Sequence, residues 1–120
     1  MENLITQNKQ YYDEMLKKGR LIPFFKGDKL ICFITFYLGT ENDTDKFIRD
    51  NMWSIEEDNI EGDVCFIDQL LTSKAKENPR LSYEIWARFK KYIKINFPKV
   101  KNIQWNRYSN GFVKTYRKTI

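Results

Sequence analysis

The chain has 120 residues, of which 42% are hydrophobic and 16% aromatic, enough for one domain (1–120) with its own core, and this excludes a disordered chain. It has no histidine and two cysteines, which excludes a zinc centre built from His and Cys, and no metal is expected. The net charge of +5 is unevenly spread: residues 1–73 carry 8 Lys/Arg and 14 Asp/Glu, a net of −6, and residues 74–120 carry 13 Lys/Arg and 2 Asp/Glu, a net of +11.

Residues 3–18 read as a helix, with Leu4, Tyr11, Tyr12, Met15 and Leu16 on one broad face and Gly19 as its stop. Residues 21–25 form a short strand, and Pro23 marks it as an edge strand because proline cannot donate to a ladder. After a turn at 26–29, the apolar run Leu30 to Leu38 predicts a strand buried on both faces. Thr44 can cap a short helix through Asp50. Residues 51–61 read as a loop or an irregular edge, and Met52, Trp53 and the acidic run Glu56-Glu57-Asp58 within it as packed or partner-binding.

Residues 64–71 are the third strong strand, expected beside 30–38 at the sheet centre. Asn78-Pro79 opens a helix to about Asn96, and Leu81, Ile85, Phe89, Ile93 and Phe97 recur at i+4 as its apolar stripe. Residues 101–108 and 112–117 form a hairpin around Ser109-Asn110-Gly111. The order α-β-β-α-β-α-β-β predicts an α/β (α+β mixed) fold, a mixed central sheet with helices on both faces. Cys32 and Cys65 lie in apolar strands and read as buried free thiols, or as a pair if their strands are neighbours. No basic and apolar leader follows Met1 and no apolar run approaches the ~20 residues of a membrane span, so a cytoplasmic location without a span is expected.

Three groups of residues point to chemistry. Asp68 is a carboxylate in the middle of an apolar strand, where desolvating a charge is costly; it faces solvent, pairs with a lysine of the long helix, or acts as a general base. Ser73, Lys74, Lys76, Asn78 and Arg80 surround a helix start, whose free N–H groups and flanking cations suit a pyrophosphate. Lys90, Lys91, Lys94, Arg107, Lys114 and Arg117, interleaved with Trp105 and Tyr108, suit a phosphate backbone with bases stacked on the aromatics.

The element order, together with Leu30-Ile31-Cys32-Phe33-Ile34-Thr35-Phe36, Gly62-Asp63, Phe66-Ile67-Asp68, Lys90-Lys91 and Phe97-Pro98, resembles the GNAT acyltransferase superfamily, and most closely the RTX-toxin-activating lysine acyltransferases. The resemblance covers roughly residues 30–105. It implies a GNAT-like sheet and transfer of an acyl group from acyl-CoA or an acyl carrier thioester to an amine acceptor. Asp68 takes the place of the family's catalytic aspartate, Tyr116 or Tyr108 would protonate the departing thiol, and the 73–80 segment would hold the donor's pyrophosphate. The family's catalytic histidine has no counterpart, and residues 73–82 contain no glycine. The expected function is therefore an acyltransferase-like protein, active or catalytically degenerate. The alternatives are a non-enzymatic nucleic-acid-binding module using the basic C-terminal half, or a small protein-binding inhibitor from a mobile element. An opening between strands near Asp68 and the helix start would favour the first, and a continuous basic face the second.

Overall fold

The computed structural model describes residues 9–42, 58–72, 79–109 and 112–120. The expected start of the first helix at residue 3 and the short helix 44–50 lie outside the described residues. Within them the order is α1 (Lys9–Lys18), β1 (Leu21–Lys26), β2 (Lys29–Gly39), β3 (Val64–Thr72), α2 (Pro79–Asn96), β4 (Asn102–Ser109) and β5 (Phe112–Thr119). The strands form one mixed sheet in the order β1-β2-β3-β4-β5. All neighbours are antiparallel except β3 and β4, which are parallel because the chain crosses between them through α2. The fold is mixed α+β. β2 and β3 are neighbours as expected, and β1, with Pro23, is an edge strand.

The helices cover opposite faces. On one, Ile85, Phe89 and Ile93 of α2 are buried against Ile34, Phe36, Cys65 and Ile103, with Phe36 and Phe89 edge to face at 5.7 Å. Leu81 and Phe97 extend this stripe as partly buried residues. On the other face, Tyr12 and Met15 of α1 are buried, and Tyr12 meets Phe33 edge to face at 5.1 Å. Leu16, expected inside, is 59% exposed. The 100° step per residue centres the buried face on 11, 12 and 15 and turns position 16 out to its rim.

α1 ends as Gly19 foretells. Gly19 adopts φ 76°, its N–H donates to the Leu16 carbonyl (3.1 Å), and the Arg20 N–H reaches back to the Met15 carbonyl (2.8 Å), a Schellman motif. That motif delivers Arg20 into the interior. Its guanidinium donates to both carboxylate oxygens of Asp58 at 2.8–3.1 Å and lies over the rings of Phe97 (5.0 Å) and Phe36 (5.8 Å). Asp58 also accepts the Leu38 N–H at 2.7 Å, and its side chain is fully buried. So the end of the acidic run is a packed anchor; Met52, Trp53, Glu56 and Glu57 lie outside the described residues. Close by, Gly62 packs so tightly on the Gly39 backbone that any Cβ there would overlap it.

Both cysteines are free. Their strands are neighbours, but Cys65 pairs opposite Leu38 and Cys32 opposite Thr72, at opposite ends of the ladder, so no bridge is geometrically open.

Two stability measurements check this architecture. Phe89→Ala should lose about 3–5 kcal/mol in urea unfolding, because a fully buried aromatic is removed from a packed core. Asp58→Ala should lose about 3–5 kcal/mol by stranding the buried Arg20 charge. A loss within about 0.5 kcal/mol for either variant, the range of ordinary surface changes, would contradict the corresponding contact.

Candidate active site

The site grows out of an irregularity in β3. Thr35 pairs with Gln69 and its neighbour Phe36 with Ile67, so Asp68 is an extra residue, a β-bulge. In a regular strand Asp68 and Gln69 would face opposite sides. The bulge turns both toward α1. Tyr11 donates its hydroxyl to Asp68 and lies 3.0 Å from the Thr35 hydroxyl, while the Tyr12 hydroxyl donates to Gln69 Oε1 at 2.7 Å. The two tyrosine rings meet edge to face at 5.1 Å.

The same residue marks where the sheet opens. β3 and β4 pair from Val64↔Asn102 to Ile67↔Trp105, and among the described residues no pairing continues, although β3 runs to Thr72 and β4 to Ser109. From Asp68 onward the β4-facing edge of β3 has no strand partner among the described residues. An unpaired edge of this kind can accept the polar backbone of an extended ligand.

The electrostatics are those of a desolvated carboxylate. Burial raises the Asp68 pKa above the ordinary carboxylate range, and the Tyr11 hydrogen bond partly opposes this by stabilising the anion. Burial first and the Asp68 charge second push Tyr11 well above the usual phenol range. The same causes raise Tyr12, and carry Tyr37 up to about 12. These tyrosines stay protonated, and Tyr11 and Tyr12 act as donors. Burial likewise holds Cys32 up at about 12 and Cys65 well above the usual thiol range, so neither is a ready nucleophile.

Of the expected site residues, Asp68 neither faces open solvent nor pairs with a lysine of α2: its partner is Tyr11, on the opposite side of the sheet from α2. Tyr116 stacks on Trp105 (5.7 Å, 11°), and Trp105 in turn packs on Trp86 of α2, so Tyr116 stands on the face away from Asp68. Ser73, Lys74, Lys76 and Asn78 lie outside the described residues, as does the side chain of Tyr108. Arg80 lines a pocket of about 450 Å³ at the end of the sheet where β3 stops and α2 starts. Ile31, Leu81 and Ile85 line it as apolar walls, and Lys26, Arg80 and Arg88 add positive charge with Glu84 among them. Ile31 is there because a second bulge, between Phe24/Phe25 and their partners on β2, makes it the extra residue between Leu30 and Cys32.

Tyr11, Tyr12, Thr35 and Gln69 were not singled out as site residues from the sequence. The one available signal was the adjacent polar pair Asp68-Gln69 in an apolar strand, which breaks the alternation a regular strand needs. Among the described residues no group of three or more His, Cys, Asp or Glu side chains could hold a metal. Among the described residues no helix is long and apolar enough to cross a membrane. No protein-family model, curated protein or solved structure matches the chain.

The Asp68 pKa direction gives a stability test. A carboxylate with a raised folded-state pKa adds stability below its unfolded pKa and loses it as pH rises through the folded value. At pH 7 Asp68 is therefore a burden on the fold. Asp68→Asn, whose amide oxygen can still accept the Tyr11 hydroxyl, should melt at or above the wild-type temperature at pH 7. Its advantage should shrink as pH falls below the raised Asp68 pKa. A clear drop in melting temperature at pH 7 would mean that the ionised carboxylate is a net support.

Proposed function

We propose that the protein is an acyltransferase-like domain of GNAT type, moving an acyl group from a thioester donor to an amine. The observation that carries this reading is the parting of β3 and β4 at the residue where the bulge presents Asp68. An extended thioester donor lies along the free edge of β3, in the place of a missing strand. Its anionic end is held by the cations at the start of α2, of which Arg80 is described, and by Arg88 about two turns further on, which lines the same pocket.

In the reaction, the amine nitrogen attacks the thioester carbonyl and the carbon–sulfur bond breaks. The proton lost by the amine goes to the Asp68 carboxylate, which passes it to the departing thiolate. A raised pKa makes Asp68 a stronger base than an ordinary surface carboxylate. Tyr11 fixes the carboxylate's orientation through its hydrogen bond. Tyr11, and not Tyr116, shares a face with Asp68, so the protonating role expected of Tyr116 is dropped.

Release of thiol from acyl-CoA and acyl carrier thioesters of several chain lengths, with and without a lysine-containing peptide, tests the reading. Because both cysteines are buried, a thiol reagent reports the product against little background. Amine-dependent release should fall about 100-fold or more in Asp68→Asn, the range for loss of a general base. Absence of both binding and release with every thioester would leave the fold as a scaffold for another purpose.

A further inference from the structure

The face of the sheet covered by α2 carries a second arrangement, on its β4–β5 flank. Trp105 of β4 pairs with Tyr116 of β5, and their rings stack nearly parallel, 11° apart at 5.7 Å. Trp86 of α2 abuts Trp105 at 5.3 Å. All three rings are partly exposed. Strand alternation puts Lys114 and Lys118 on the same side as Tyr116, and the Lys114 ammonium sits 5.2 Å from the Tyr116 ring centroid. Lys90 lies one helical turn on from Trp86, on the same flank of α2.

Among the described residues the charge here is of one sign. From Ile85 to Ile120 the chain has ten Lys/Arg and no Asp or Glu. Lys90, Lys114 and Lys118 make no ion pair among the described residues. Not every basic residue belongs to the patch. Arg117 is paired opposite Gln104 on the other face and bridges to Glu41 at 2.9 Å, and Lys91 points away from the buried stripe of α2. Lys94 is exposed further round the helix, and the Arg107 side chain lies outside the described residues.

We propose that this aromatic step with its lysine border binds single-stranded nucleic acid. The lysines take the phosphates, and a base stacks on the exposed part of Tyr116, continuing the Tyr116–Trp105 stack. The occupant follows from charge and shape together. Unpaired lysines need a polyanion, and a flat aromatic step needs a planar ring, which a single strand offers freely and a duplex hides in its stack. The platform lies on the opposite face from Asp68 and does not depend on the acyl-transfer reading.

Fluorescence anisotropy with a labelled 15-nucleotide mixed-sequence single strand, the matching duplex and polyglutamate as competitor tests it, using the full chain at 50 and 200 mM salt. The single strand should bind at low salt and weaken steeply at high salt. Lys114→Glu/Lys118→Glu should lower the salt slope by about 1.4, two contacts' worth. Tyr116→Ala should weaken binding about 5- to 150-fold. The charge variant alters exposed edge residues, so it keeps the test sound if Tyr116→Ala fails to fold. No binding at 50 mM salt, equal binding of the duplex, or equally effective competition by polyglutamate each overturns the proposal.

Discussion

The buried pair Arg20–Asp58 is the constraint on which the rest of the molecule is assembled. Asp58 receives two guanidinium nitrogens and the Leu38 N–H, and the Arg20 carbonyl accepts the Phe36 N–H at 3.0 Å. Phe97, just past the end of α2, caps the guanidinium. Four parts of the chain, distant in sequence, thus meet at one cation: the end of α1, the far half of β2, the segment leading into β3, and the exit from α2. A buried ion pair is often no more stabilising than a well-packed apolar pair, because desolvation offsets the Coulomb attraction. Its effect here is geometric. The fork of the guanidinium fits one carboxylate orientation, and the lone pairs left over are taken up by backbone, so the position of α1 over the sheet is fixed.

That position decides the chemistry at Asp68. With α1 held by its last residue, Tyr11 and Tyr12 stand side by side above β3, and only a strand with two successive residues on that face can answer both. The bulge at Asp68 provides this. The extra residue also bends and twists β3 locally, and the parallel ladder to β4 ends one residue before it. Bulge, tyrosine pair and opened sheet are therefore one feature. The carboxylate is held in an environment that disfavours its charge, and no packing requirement calls for an acid there.

The strands, the edge position of β1 and the stripe of α2 were legible in the sequence because they rest on local signals. Leu30 to Leu38 is apolar throughout, Pro23 cannot pair on both sides, and Ile85, Phe89 and Ile93 repeat at helical spacing. The site was half legible. Asp68 stands out as a charge in an apolar run, but its partner is 57 residues away on an element whose face is set by Arg20. The bulge is a property of register between two strands, and neither strand's sequence states it alone. Arg20 itself resembles any surface cation. Its one clue is its place directly after Gly19, where a Schellman motif usually puts an apolar residue inward. Asp58, the last of three acids, looks like solvated surface until its partner is known.

The two faces of the sheet divide the charge between them, and the division follows from strand alternation. On β5, Lys114, Tyr116 and Lys118 go to the α2 side, and Arg117 goes to the other, where Glu41 meets it. That surface pair is about half exposed and contributes little to stability. On the α2 side Lys90, Lys114 and Lys118 have aromatic neighbours and make no ion pair among the described residues, so their mutual repulsion is relieved by solvent and salt over a Debye length of about 8–10 Å. An edge strand dressed in lysines also resists pairing with another sheet, which is reason enough for some positive charge on β5. It does not explain why Tyr116 stacks on Trp105 in the midst of them, or why the positive charge continues onto the flank of α2 at Lys90. A solvated edge needs neither an aromatic step nor a second element of like charge, whereas a surface for a flexible polyanion with planar bases uses both.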